Sequence, residues 1–389
     1  MPATKSLRAE SAVQERYAAA AKAPEAALCC PIDYDPQYLK IIPREVIEKD
    51  YGCGDPSRYV KPGETVLDLG SGTGKICFIA AQVVGAQGRV IGIDMTDDML
   101  EVARRNAPIV AGRLGYANVE FRKGRIQDLA LDLELLDRDL REHPITDAHS
   151  FLAADGRADD LRVRHPLVAD DSVDVVVSNC VLNLVEAKSK RRLFEEIFRV
   201  LRKGGRAVIS DIVADEAVPA ELQNDPTLWS GCISGALTEE EFLRAFTQAG
   251  FYGVQILKRD DLPWQTVHGI EFRSVTVAAY KGKQGPCVDR HQAVIYLGPF
   301  KEVLDDDHHR MERGLRYAVC DKTYQLYKKE PYKNHFAFID PVTPVPLDEA
   351  RPFDCSQTPV RHPRQTKGAD YNATTEASQC CDGGATACC

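Results

Sequence analysis

A chain of 389 residues, at about 150 per domain, has room for roughly two or three domains, so it can bury an enzyme-sized core without disulfide staples. Its 44% hydrophobic and 28% charged residues are those of an ordinary globular chain. The 49 basic and 58 acidic side chains leave a net charge of −9, which argues against a general nucleic-acid binder, because neutralising phosphates takes a basic face.

Residues 1–50 read as an Ala-rich helical lead segment with turns at Pro31 and Pro43. They lack an apolar signal core, and Glu10, Glu15 and Glu25 make them too acidic for a transit peptide, so a cytoplasmic location is expected. Over 51–282 strands and helices alternate: strand 65–69, helix 75–84, strand 89–93, helix 96–114 with Thr96 at its N-cap, and strand 119–122. Residues 129–171 are charged and irregular, far longer than the usual connection of about 2–6 residues, and read as an insertion. A strand follows at 173–178. The apolar stretch 173–185 is broken by Asp174, Ser178, Asn179 and Asn183 and falls short of the ~18 apolar residues of a membrane helix, so no membrane partner is expected. Helix 188–201, a turn at Lys203-Gly-Gly205, strand 207–213, helix 238–249 and strands 253–257 and 274–280 complete the unit. Such repeats predict an α/β fold with a doubly wound, mostly parallel Rossmann-like sheet. A composition shift near 283 marks a C-terminal α+β region over 283–360, with His308 and His309 expected on its surface, and 361–389 reads as a flexible, Cys-containing tail.

Leu67-Asp-Leu-Gly-Ser-Gly-Thr-Gly74 places Gly70, Gly72 and Gly74 between a strand and a helix, with Ser71 and Thr73 interleaved. Asp94 closes the second strand 20 residues after Gly74, where a carboxylate accepts both ribose hydroxyls. The loop is G-x-G-x-G and follows Asp68, which repels phosphate and suits an ammonium, so S-adenosylmethionine fits better than a dinucleotide. After the third strand, Ile126 and Gln127 are candidates for the adenine, and Met95 and Asn179 are expected to complete the cofactor set.

The 13 cysteines are an odd number and, in a chain read as cytoplasmic, are expected to be mostly reduced. They form the pairs Cys29-Cys30, Cys380-Cys381 and Cys388-Cys389 and the singles Cys53, Cys77, Cys180, Cys232, Cys287, Cys320 and Cys355, with no CxxC spacing. In strand order 3-2-1-4-5 the first and fourth strands are neighbours. Cys77, in the first turn after strand one, Cys180, just beyond strand four, and Cys232, in the loop after strand five, then converge on one crevice. Cys77 also sits near a helix N-terminus, whose dipole favours thiolate. Such sulfur ligands leave zinc open, although no histidine follows at ligand spacing. Trivalent arsenic takes three thiolates pyramidally and keeps a nucleophilic lone pair.

The loop 67–74, Ser178-Asn-Cys-Val-Leu-Asn-Leu184, Gly231-Cys-Ile-Ser-Gly-Ala236 with Thr238-Glu-Glu-Glu-Phe242, and Tyr51-Gly-Cys-Gly54 resemble the arsenite S-adenosylmethionine methyltransferases, over about residues 35–350. The resemblance implies that Cys180 and Cys232 hold arsenic, that Cys77 supplies a third thiolate, and that Cys53 pairs with Cys77 as a disulfide during turnover. It further implies arsenite and methylated trivalent arsenicals as substrates, a thioredoxin- or glutathione-type reductant, and a role in arsenic detoxification. Two other readings are a methyltransferase of a small organic acceptor and a non-catalytic thiol metal-binding protein acting through the terminal Cys pairs.

Overall fold

The computed structural model describes residues 9–23, 25, 32, 34–49 and 51–375; the three adjacent Cys pairs lie outside the described residues. The chain divides into two compact units, Met1–Lys283 and Gln284–Cys389.

The first unit begins with helices α1 (Ala9–Lys22), α2 (Pro36–Leu39) and α3 (Arg44–Glu48). The alternating part comprises β1 (Thr65–Leu69), α4 (Lys75–Val84), β2 (Arg89–Asp94), α5 (Asp97–Leu114), β3 (Val119–Lys123), α6 (Leu133–Glu142), α7 (Ala148–Arg164), β4 (Val173–Asn179), α8 (Ala187–Val200) and β5 (Leu201–Ala214). Short helices α9 (Ala220–Gln223) and α10 (Pro226–Ser230) lead to α11 (Glu239–Gln248), β6 (Tyr252–Arg259), β7 (Gln265–Val267) and β8 (Ile270–Tyr280). The sheet order is β3-β2-β1-β4-β5-β8-β6, with β7 on β8; β1 to β5 run parallel and β8 antiparallel to both neighbours. Strands covered on both faces have no polar side to show, which is why β1 and β4 read as nearly unbroken apolar runs. Successive residues Val66 and Leu67 enter different clusters, Val66 with Phe78, Val90 and Val177, Leu67 with Ile93, Val176 and Phe194.

The segment 129–171 corrects the expected irregular insertion: it is the helical hairpin α6–α7. Asp132 accepts the first N–H groups of α6, and Asp147 with Ser150 forms a capping box on α7. Arg157 grips both oxygens of Asp139 at 2.8 and 2.9 Å between the two helices. Only Ala154 and Ala158 of α7 are buried while Phe151, Leu152 and Val163 are exposed, so no apolar stripe betrayed the helix. The Lys203-Gly-Gly205 turn lies within β5, where Leu201 pairs with Val173 and Arg206 with Val175.

The second unit contains β9 (Val288–Asp289), β10 (Ala293–Tyr296), β11 (Glu302–Leu304), β12 (Arg310–Glu312), β13 (Arg316–Ala318), α12 (Asp321–Tyr327), β14 (Phe336–Ile339), β15 (Arg351–Pro352) and α13 (Pro363–Lys367). An antiparallel sheet β13-β10-β14 packs an aromatic core in which Tyr327 and Phe336 stack at 4.4 Å. Contrary to its expected surface position, His309 is buried, its Nδ1 2.9 Å from Asp305. The tail, read as flexible from 361, is held in its described part. Arg361 is buried and pairs with Asp289 at 2.7 Å, and the Thr366 hydroxyl of α13 accepts from Arg316 at 3.0 Å. These anchors are single long-range polar contacts that leave no local pattern. Among the described residues no helix is long and apolar enough to cross a membrane.

Helix α11 starts on a capping box: the Thr238 side chain accepts from Glu241 N and the Glu241 side chain from Thr238 N. Thr238→Ala is expected to cost about 1 kcal/mol and to lower the first unit's melting temperature by about 2–4 °C, read by calorimetry.

Candidate active site

At the carboxyl ends of β1 and β4 lies a pocket of about 790 Å³, open mouth included. Its floor is the loop after β1. Gly70 and Ser71 donate their N–H groups to Ile93 O, and Gly72 N–H donates to Asp94 Oδ2 at 2.9 Å. Thr96 N–H occupies the other Asp94 oxygen at 2.8 Å. The Thr96 hydroxyl and the Met95 N–H also reach this carboxylate. Burial pushes the Asp94 carboxyl above its usual range against the pull of these N–H donors. Gly70 has φ +71°, and a Cβ there would lie 2.4 Å from Val181 Cγ1, so glycine is required.

Six expected cofactor residues line the pocket: Gly70, Gly72, Asp94, Met95, Ile126 and Gln127. Asp68, Ser71, Thr73, Gly74 and Asn179 stand behind that lining. Asp68 accepts the Cys77 thiol, Thr73 Oγ1 donates to Val46 O at 3.0 Å, and Gly74 is the N-cap of α4. The buried Ser71 hydroxyl has no protein partner. Asn179, expected in the cofactor set, spends its amide elsewhere: its Oδ1 accepts the N–H groups of Cys53 and Gly54, each at 3.0 Å, and its Nδ2 donates to the Tyr34 hydroxyl at 3.2 Å.

The sequence reading missed the contribution of α1. Glu10, Val13 and Tyr17 line the pocket with Tyr51, and Tyr17 meets Tyr51 edge to face at 6.2 Å. Gln127 Nε2 donates to Glu10 at 2.7 Å, and Arg16 anchors α1 to Thr227 O and Ser230 of α10. The only signal was two bulky residues, Val13 and Tyr17, four apart in an Ala-rich helix. The acidic edge of Glu10 and Asp94, the aromatic and thioether walls, and a single lysine already paired with Glu45 fit S-adenosylmethionine, a cation with a ribose and no phosphate.

The thiols gather against the same wall. A sulfur of Cys53, a sulfur of Cys180 and a carboxylate oxygen of Asp211 lie within 4.8 Å of one another. Cys232 Sγ donates to Cys180 O at 3.1 Å, and its thiol also meets the Tyr17 hydroxyl. Cys180 and Cys232 have φ +62° and +63°, a conformation non-glycine residues hold only under constraint. Cys180 N–H to Ser210 O at 2.8 Å and Trp229 Nε1–H to Leu184 O at 3.1 Å supply that constraint. Cys180 itself lines the cofactor pocket.

Cys77, expected as the third thiol here, is not in that group of atoms. As third residue of α4 it is buried in the packing of that helix against Val175 and Val177, and its Sγ donates to Asp68 Oδ2 at 3.2 Å. The carboxylate counteracts the thiolate preference expected from the helix dipole. Cys53, which no fold argument placed in the crevice, is brought in by Asn179 and by Ser274 Oγ, which donates to Cys53 O at 2.6 Å. A Cβ at Gly52 would lie 2.2 Å from Asn179 and one at Gly54 2.5 Å from Ser210, so the two glycines let Cys53 lie flat on the strand ends.

Electrostatics keep Cys180 and Cys232 protonated. The Cys232 hydrogen bond alone favours a Cys180 thiolate, but the bond with Cys53, burial and the charges of Cys53 and Asp211 outweigh it and push the Cys180 thiol well up. Cys232 is raised by its bond with Cys180 and by burial. Burial also lifts the Asp211 carboxyl to about 6, opposed by N–H groups of Ile212 and Leu182 and by Lys190, whose buried ammonium is itself brought down to about 8.

The doubly wound sheet, with a glycine loop after its first strand and a carboxylate closing its second, is the frame of an S-adenosylmethionine-dependent methyltransferase, the class the similar proteins show. A methyltransferase-domain family model matches residues 60–151 and 157–250, and residues 283–371 match a domain of unknown function. The chain is 34% identical over 327 residues to the arsenite methyltransferase of Aquipseudomonas alcaligenes, covering 80% of this chain and 84% of that protein. It is 28% identical to the arsenite methyltransferase of Mus musculus, covering 80% and 77%. The crystal structure of an arsenic(III) S-adenosylmethionine methyltransferase from Chlamydomonas reinhardtii superposes with a TM-score of 0.54 at 29% identity, over 84% of this chain and 100% of that one. The chain belongs to the arsenite methyltransferase family, which overturns the non-catalytic metal-binding alternative.

Asp94→Ala should weaken S-adenosylmethionine binding by about tenfold or more, because each charge-assisted hydrogen bond lost is worth about 1.5–3 kcal/mol. Asn179→Ala should leave that affinity, measured by calorimetry, within about twofold, while freeing Cys53 for faster alkylation by iodoacetamide. A large loss of cofactor affinity in Asn179→Ala would return Asn179 to the cofactor set.

Proposed function

We propose that this enzyme methylates trivalent arsenic, converting arsenite to mono- and dimethylated species on the thiols of Cys53, Cys180 and Cys232, with disulfide-coupled reduction. The observation that carries this reading is the joining of the thiol trio to the cofactor pocket through one residue, Cys180. Arsenous acid condenses with three protonated thiols: three As–S bonds form and three waters leave, each carrying one thiol proton. Thiols held protonated by burial are therefore in the state this exchange consumes. The bound arsenic keeps a lone pair. S-adenosylmethionine, when bound, supplies an electrophilic methyl on a sulfonium. The acidic lining and the Tyr17–Tyr51 edge suit that cation, and the walls formed by Met95, Val181 and Leu184 exclude water.

Methylating the lone pair raises arsenic formally to the pentavalent state, so two electrons must return. Cys77 attacks the Cys53 sulfur, the S–S bond forms, the As–S pair reverts to arsenic as a lone pair, and the Cys77 proton passes to Asp68, 3.2 Å away. A thioredoxin- or glutathione-type thiol then reduces the disulfide. Cys180 and Cys232 retain the methylated trivalent product for a second round. The reaction belongs in the cytoplasm, where thiols stay reduced, and would serve arsenic detoxification.

Cys180→Ser and Cys232→Ser should each abolish arsenite binding and all methylation, since a hydroxyl does not replace sulfur on a soft centre. Either variant working at the parent rate would sink the arsenic site. Products with labelled S-adenosylmethionine, read by mass spectrometry, separate the remaining thiols. Cys53→Ser should fail on arsenite yet still methylate monomethylarsonous acid, which needs two thiols. Cys77→Ser should bind arsenite normally and stop after a single methyl transfer even with thioredoxin supplied. Sustained arsenite turnover by Cys77→Ser would assign the reduction to external thiols.

A further inference from the structure

A second trio of thiols lies in the Gln284–Cys389 unit: the sulfurs of Cys287, Cys320 and Cys355 come within 4.8 Å of one another. Each arrives on a separately fixed piece of chain. Cys287 precedes β9 and Cys355 follows β15, and these strands pair Asp289 with Arg351 and Val288 with Pro352. Phe353 N–H donates to Cys287 O at 2.9 Å. Cys320 is the N-cap of α12, its sulfur accepting from Thr323 N at 3.4 Å, and Arg290 ties β9 to that helix through Asp321 at 3.2 Å. Cys320 is buried and the other two are half-buried, which leaves an approach from solvent.

The trio is also electrostatically uneven. Burial opposes a charge on Cys287, but hydrogen bonds from Cys355 and Cys320 and the nearby Lys322 ammonium outweigh it and lower that thiol. Cys355 is raised by burial and by its two sulfur neighbours. Among the described residues no histidine, carboxylate or fourth cysteine joins the group, so it offers three sulfurs rather than the four ligands of structural zinc.

We infer that Cys287, Cys320 and Cys355 form a second binding site, for inorganic trivalent arsenic held as a pyramidal tris-thiolate. Arsenous acid loses its three hydroxyls as water, each taking one thiol proton; three As–S bonds replace three As–O bonds and no electron is transferred. Monomethylarsonous acid has two exchangeable hydroxyls and leaves one thiol unused, so the site favours the unmethylated form, by about tenfold or more in dissociation constant. The inference does not depend on arsenic binding in the crevice.

The test uses the full chain, reduced with a phosphine and titrated with arsenite. Native mass spectrometry counts bound arsenic, and X-ray absorption counts its sulfur neighbours. The Cys180→Ser/Cys232→Ser double variant should still bind one arsenic, with the mass gain of one arsenic less three hydrogens and three sulfurs around it. Adding Cys320→Ser should remove it, and serine is itself a good N-cap, so α12 should survive; Cys287→Ser is the independent check. Cys320→Ser alone should methylate at the parent rate under saturating arsenite. Failure of the crevice reading shows differently, as arsenic lost on Cys320→Ser but unaffected by Cys180→Ser/Cys232→Ser. No arsenic on the double variant, arsenic surviving both Cys320→Ser and Cys287→Ser, a two-sulfur shell, or equimolar zinc displacing arsenite would each overturn the site.

Discussion

The site depends on one carboxamide. Asn179, the last residue of β4, turns its Oδ1 to the N–H groups of Cys53 and Gly54 and its Nδ2 to Tyr34. Three hydrogen bonds from one buried side chain pin a segment from before the first strand onto the end of the fourth, and the next residue is Cys180. A neutral amide suits the position because two N–H groups need an acceptor and a phenol oxygen needs a donor, and the amide offers both on separate atoms without adding charge. The glycines beside Cys53 are what the close approach costs in side chains.

Around this clamp the buried charges are arranged in layers. Asp211 faces the sulfurs and is held by the N–H groups of Leu182 and Ile212, each at 2.8 Å. Lys190 compensates it from α8 and donates to Leu182 O at 2.8 Å. The same two residues thus fix the turn after β4 and set the potential in which the thiols sit, so structure and reactivity share one set of contacts. A second carboxylate, Asp68, lies beside Cys77 as Asp211 lies beside the crevice thiols, and it accepts the Cys77 thiol at 3.2 Å.

The two units use cysteine differently. In the first, Cys180 and Cys232 sit in left-handed backbone, Cys180 lining the pocket and the Cys232 sulfur donating to its carbonyl. In the second, Cys320 doubles as a helix cap and the trio is assembled by strand pairing. Rigid secondary structure around Cys287 and Cys355 pre-arranges sulfur without a loop that moves, which suits retention of a ligand more than its turnover.

Contiguous residues determined what could be read without coordinates. The glycine loop between β1 and α4, Asp94 at the end of β2 and the positions of Cys180 and Cys232 after β4 and β5 follow from strand and helix periodicity and from the 3-2-1-4-5 order, so the cofactor crevice and two of its sulfurs were legible. The α6–α7 hairpin was not: Leu133, Leu136 and Leu140 give α6 a helical period over only ten residues, and α7, rich in alanine and charge, shows none. Nor was the choice between Cys53 and Cys77: the two differ in which side chain 126 residues away they meet, Asn179 for Cys53, against a helix phase that turns Cys77 onto Asp68. Local spacing carries the hydrophobic pattern that forms elements. Which distant polar groups satisfy one another after those elements pack is decided only when burial removes water as the competing partner, and there the tertiary structure decided which thiol lies beside Cys180, the partners of Asn179 and the burial of His309.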